Sequence, residues 1–85
     1  MKIIYLQNSN EHHAYLMDVF HRMGNELSIY QIADNEEQIL KAFGEGKLDL
    51  LAQEMKAGKS NAVFGLGYSA CIAELCHSLN LIYIS

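Results

Sequence analysis

The densest group of hydrogen-bonding side chains follows the first apolar run of the chain. It reads Gln7-Asn8-Ser9-Asn10-Glu11-His12-His13. Asn8, Ser9 and Asn10 offer donors and acceptors without fixed charge, which suits hydroxyl-rich or other neutral polar ligands. His12 adds an imidazole near the end of this group. A place in the first turn of a following helix would face it into the same crevice. The second group is Gly65-Leu66-Gly67-Tyr68-Ser69-Ala70, which fits the spacing G-x-G-x-x-A after one β-prone run and before a helix. At that spacing the missing side chains let a phosphate approach the backbone, and the helix start favours an anion. The expected ribose-binding acid, ~20 residues further on, would fall past Ser85. A tight turn with close helix–sheet packing explains the same glycines. Tyr68 supplies an aromatic face on which a sugar could stack.

Other chemistries lack their residues. Gly58-Lys59-Ser60 has the end of a phosphate loop, but Gln53 stands where the first glycine is required and no strand precedes it. The four histidines, His12, His13, His21 and His77, contain no H-x₃-H pair. No metal site and no cofactor are expected from them. Cys71 and Cys76 would lie about 140° apart on a helix, so they read as free thiols rather than a pair. A phosphate-accepting receiver needs acids where Gln7-Asn8 stand. A cysteine phosphocarrier needs cysteine where Ser9 stands. No Ser-His-Asp set or close carboxylate pair is evident from order alone, so no catalytic residue is assigned.

The elements that must position these groups alternate. Lys2–Leu6 reads as a strand buried on both faces. A helix follows from about Asn10 to Met23, with Leu16, Val19, Phe20 and Met23 at i, i+3, i+4, i+7. Gly24 suits a left-handed stop. Leu27–Ile32 is the second strand. Asp34 with Glu37 forms a capping box that opens a second helical region. Its apolar stripe is Ile39, Leu40 and Phe43. After Gly44-Glu45-Gly46 the stripe resumes at Leu48, Leu51 and Met55, giving two short helices or one kinked one. Asn61–Leu66 is the third strand. Ser69–Leu79 is a helix with Ile72, Leu75, Cys76 and Leu79 inward, and Leu81–Ile84 is the fourth strand.

Strands alternating with helices imply an α/β sandwich of three layers, Rossmann-like or flavodoxin-like, around a four-stranded parallel sheet. The expected order is 2-1-3-4, with 3-2-1-4 if Lys47–Leu51 is a strand instead. In such sheets ligands sit beyond the carboxyl ends of the strands. The loops Gln7–Glu11, Ala33–Asn35 and Leu66–Ser69 should therefore share one rim. The candidate ligand-binding residues are Asn8, Ser9, Asn10, His12, Gly65, Gly67, Tyr68 and Ser69.

The 85 residues make room for one domain, residues 1–85. Ten acids against six bases give a net charge of −4, which disfavours a nucleic-acid partner or an anionic membrane. No apolar run approaches the ~20 residues that span a bilayer. With no signal-peptide pattern at the start, the chain reads as cytoplasmic. Ending on an apolar strand leaves a sheet edge that could pair with a second copy, a homo-oligomer through the edge strand.

The last third of the chain, residues 61–85, carries a resemblance. Asn61-Ala62-Val63-Phe64-Gly65, Glu74-Leu75-Cys76-His77 and Leu81-Ile82-Tyr83-Ile84-Ser85 resemble the N-terminal Rossmann-like region of bacterial CgeB-like glycosyltransferases, relatives of a spore maturation protein. There a strand of the kind D-A-V-F-S leads into a loop, then a helix with a glutamate–apolar–cysteine stretch, then a strand ending Y-I-S. Met1–Asn8 matches the opening strand and polar loop more loosely. The family carries bulky aromatics and a proline where this chain has Gly65-Leu66-Gly67-Tyr68-Ser69. It continues with an aromatic–Asp–Pro segment and a second domain for the nucleotide sugar, absent from these 85 residues. The resemblance implies the acceptor-side, N-terminal part of a two-domain glycosyltransferase-like protein, not catalytic without its C-terminal partner domain. The alternatives are a free-standing module that binds a nucleotide or phosphate at Gly65–Gly67, and a self-associating domain without a ligand.

Overall fold

A computed structural model describes every residue from Met1 to Ser85. Four strands are joined by four helices, two of them between the second and third strands: β1 Lys2–Gln7, α1 His13–Arg22, β2 Glu26–Gln31, α2 Glu36–Gly44, α3 Asp49–Lys56, β3 Ala62–Gly65, α4 Ala70–Ser78 and β4 Ile82–Ile84. The strands form one parallel sheet in the order β2-β1-β3-β4. Residues 47–51 are not a strand: the chain turns at Gly46, whose φ is +76°, and enters α3, which rules out the order 3-2-1-4. No helix is long and apolar enough to cross a membrane.

The two faces of the sheet are filled by alternate residues of the same strands, as a period of two requires. Ile4, Leu6 and Val63 pack against α2, α3 and α4 through Ile39, Leu48, Leu51, Met55, Ile72 and Cys76. Ile3, Tyr5, Ala62 and Phe64 turn to the opposite face, where Leu16, Met17 and Phe20 of α1 meet them. Aromatic rings dominate this second cluster: Phe64 lies 5.1 Å from Tyr5 and 5.0 Å from Phe20 between ring centres. Because α1 covers this face alone, Ile29 on one flank and Ile82 and Ile84 on the other stay exposed. The expectation of a sheet covered on both faces holds only for its centre.

Several local expectations are corrected. Met23 lies past the end of α1 and is exposed. The stripe that meets the sheet is His13, Leu16, Met17 and Phe20, rotated from the expected one. Helix α2 begins one residue later than foreseen. Asn35 caps it by accepting the Gln38 N–H at 2.9 Å, so Asp34 and Glu37 form no capping box. Leu40 and Phe43 are exposed, and only Ile39 of that stripe is buried. Helix α4 is capped by Ser69, whose Oγ accepts the Ile72 N–H at 3.2 Å.

Candidate functional site at the sheet rim

The parallel register brings the carboxyl ends of all four strands to one edge. Gln7 stands beside Gln31, Leu6 beside Gly65, and Phe64 beside Ile84. The β1–α1 loop and the β3–α4 loop therefore neighbour each other. Chain connections diverge at this point, to β2 on one side and β4 on the other, and the crevice so formed is the usual ligand position in open α/β sheets. Asn8, Ser9, Asn10, Gly65, Gly67, Tyr68 and Ser69 all lie on this rim.

A histidine that the sequence reading passed over organises the first loop. His13 is 3% exposed, and its ring stands edge-on to Tyr5, 5.4 Å between centres. The Tyr5 hydroxyl lies 2.5 Å from His13 Nδ1, and Asn8 Oδ1 lies 2.7 Å from Nε2. Asn8 Oδ1 also accepts the Asn10 N–H at 3.0 Å, so it faces the ring as an acceptor. Both ring nitrogens are therefore engaged, Nδ1 by the Tyr5 hydroxyl and Nε2 by Asn8. The Asn8 N–H also points at Nε2, 3.1 Å away. Asn10 Oδ1 in turn accepts the His12 N–H at 2.8 Å. His12 itself is exposed and makes no side-chain hydrogen bond. Its neighbour His13, in the first helical turn, faces the core rather than the crevice.

Asp34 ties the second rim loop to the first. It accepts the Ser9 N–H at 2.9 Å and the Ser9 hydroxyl at 2.6 Å, and these bonds hold its carboxyl below the usual aspartate range. Next to this clamp the Gln31 amide donates to Gln7 Oε1 at 2.8 Å.

The glycine loop is occupied from within. Tyr83 reaches from β4 to accept the Ser69 N–H at 3.0 Å and to donate to the Gly67 carbonyl at 3.3 Å. Burial pushes its hydroxyl pKa up. Glu36, at the start of α2, accepts the Cys71 N–H at 2.9 Å, and Ser69 Oγ takes that of Ile72. The first-turn amides that would greet a phosphate thus already hold a carboxylate and two hydroxyls. Gly65 faces the Tyr83 hydroxyl, which would lie 3.4 Å from an added Cβ, while Gly67 has open space but a φ of +91°. A turn conformation therefore explains Gly67, and an added Cβ at Gly65 would meet only ordinary contacts. Tyr68 is 71% exposed, with its ring centre 6.0 Å from that of Tyr83.

None of the six lysines and arginines falls in the three rim loops. Cys71 and Cys76 are both free thiols. Tyr5, His13, Asp34, Glu36 and Tyr83 are the rim-organising residues that sequence reasoning missed. One signal for His13 was present: extending Leu16, Met17 and Phe20 back by a turn lands on it. No protein-family model, curated protein or solved structure matches the chain.

Proposed function

We propose that this chain is the acceptor-side portion of a glycosyltransferase-like protein, which holds a neutral, hydroxyl-rich group at the rim and transfers no sugar alone. The observation that carries this reading is the pairing at the β1/β3 crevice. Exposed Ser9 and Asn10 and half-buried Asn8 stand on one loop, exposed Tyr68 on the neighbouring one, and no lysine or arginine falls in any rim loop. Asn8 and Asn10 supply amides for hydroxyl hydrogen bonds, and Tyr68 supplies an apolar ring face for a pyranose. The sequence resemblance to CgeB-like proteins points the same way.

The second reading, a nucleotide or phosphate held at Gly65–Gly67, meets two physical obstacles. A phosphate at α4 would displace or oppose the Glu36 carboxylate, and no lysine or arginine in the loops would offset its charge. Titration followed through backbone amide resonances separates the readings. Neutral oligosaccharides should shift Asn8, Asn10, Tyr68 and their neighbours, and inorganic phosphate or uridine diphosphate should leave the α4 start unmoved. Phosphate-induced shifts at Gly67–Cys71, without a response to any neutral sugar, would reverse the assignment. Turnover of a nucleotide sugar by these 85 residues would refute it outright.

A further inference from the structure

A groove outside the rim has a different chemistry. It runs between α2 and α4 on the face of these helices away from the sheet, with a volume of about 410 Å³. Glu36, Leu40 and Phe43 line one wall, at i, i+4, i+7 of α2. Cys71, Glu74 and Leu75 line the other. The volume and the mainly apolar lining with a few polar groups match the ordinary form of a small-molecule site.

Its charge is one-sided. Two carboxylates, Glu36 and Glu74, line the groove, and no lysine, arginine or histidine does. Glu36 uses Oε1 for the Cys71 N–H, while Oε2 is shut off from water with no hydrogen-bond donor. A carboxylate in that state is poorly solvated, and a nearby positive charge is the interaction that would offset its desolvation. The Cys71 thiol registers the same field: burial first, then Glu36 and Glu74, push its pKa up. Leu40 and Phe43 remain exposed beside these acids, so apolar surface and negative potential coincide. Phe43 also offers a ring face to a cation.

The geometry points to a binding site in the α2–α4 groove for a small organic ammonium with an apolar body, its cation drawn to Glu36 and Glu74 and its body against Leu40, Phe43 and Leu75. The groove shares Glu36 with the support of the β3–α4 loop, and none of the proposed rim-ligand residues lines it. A phosphate, a carboxylate or a plain alcohol does not satisfy it. The acids repel the first two, and the third brings no charge.

The test uses three probes of one length on the 85-residue chain: 4-phenylbutylammonium, 4-phenylbutan-1-ol and 4-phenylbutanoate. Each is titrated while backbone amide resonances are followed. The ammonium should give saturable shifts at Leu40, Phe43, Cys71 and Glu74, with Asn8 and Tyr68 unmoved. Its Kd should lie about tenfold below that of the alcohol, as expected for a charge beside one partly buried and one exposed carboxylate, and the carboxylate probe should not bind. Glu74 is exposed, so Glu74→Gln should fold normally and weaken the ammonium about threefold or more while leaving the alcohol unchanged. Phe43→Ala should weaken ammonium and alcohol together. Equal affinity for ammonium and alcohol overturns the proposal, as does indifference to Glu74→Gln. Absence of saturable shifts at the groove, or shifts at the rim instead, overturns it too.

Discussion

The two loops that flank the β1/β3 crevice reach order by opposite routes. The β1–α1 loop is held from below, where buried Tyr5 and His13 grip Asn8, and its Ser9 hydroxyl is taken by Asp34. The β3–α4 loop is held from the side, by Tyr83 and Glu36, which use the same amides a ligand would want. One loop is tied by its own side chains and by Asp34, and keeps the side-chain amino groups of Asn8 and Asn10 without partners. The other has the outline of an anion site, with the chain's own groups in place of the anion. A glycine pattern alone does not distinguish these cases, because the filling groups come from β4 and α2, distant in sequence.

The largest effect should come from the support beneath the first loop. His13→Ala leaves a cavity and an orphaned Tyr5 hydroxyl, and should cost on the order of 3 kcal/mol in urea unfolding. Tyr5→Phe removes only the hydroxyl hydrogen bond to Nδ1 and should cost about 1–2 kcal/mol. If His13→Ala were neutral, the loop would not depend on this support.

Tyr83→Phe tests the other loop. It removes the acceptor for the Ser69 N–H and the donor to the Gly67 carbonyl, so a loss of about 1–2 kcal/mol is expected. Amide exchange at Ser69 should accelerate while that at Asn8 and Asn10 does not.

The glycines sharpen the comparison further. Gly67→Ala meets no atom but must hold a φ of +91°, and should cost about 1 kcal/mol. Gly65→Ala places its Cβ at ordinary contact distance from Tyr83 and Leu6, so a change within about 0.5 kcal/mol is expected. The reverse ranking, measured by chemical denaturation, would favour a loop shaped for close backbone approach at Gly65.

The mildest effects are those of pH. Burial raises the hydroxyl pKa of Tyr5 and Tyr83 above 10.0 and that of the Cys76 thiol from 9.0 to about 11. In that range the folded chain retains protons that the unfolded chain has lost. Stability is therefore intact below pH 9 and falls as pH rises, for Cys76 between 9 and about 11. Asp34 acts at the other end. Its lowered pKa means that the Ser9 clamp is intact above 3.8 and lost as pH falls through the folded value. Melting temperature followed from pH 3 to 11 should show both slopes, and Cys76→Ala should flatten the alkaline one.

The fold was legible because its signals are local and repeated. Alternating apolar runs, Gly24 and Gly58 at positive φ, and the continuous burial of β1 and β3 all follow from short stretches of sequence. Strand order followed from crossover handedness and chain order. The site was legible as a rim but not in its wiring. His12 and His13 are adjacent, and only the phase of α1 decides which one is buried. Asp34 resembled a helix cap until its partner Ser9, 25 residues earlier, was placed beside it. Tyr83 and Glu36 act through tertiary contacts that have no local signature. The cap of α2 moved from Asp34 to Asn35 because the Ser9 clamp engages Asp34 instead.

The charge character of the rim ligand is read most directly by calorimetric titration at low and high salt. A neutral oligosaccharide should bind with an affinity that is unchanged between 20 and 300 mM sodium chloride, because no phosphate charge is being neutralised. Tight binding of a nucleotide in place of the sugar, weakening steeply as salt rises, would contradict the account.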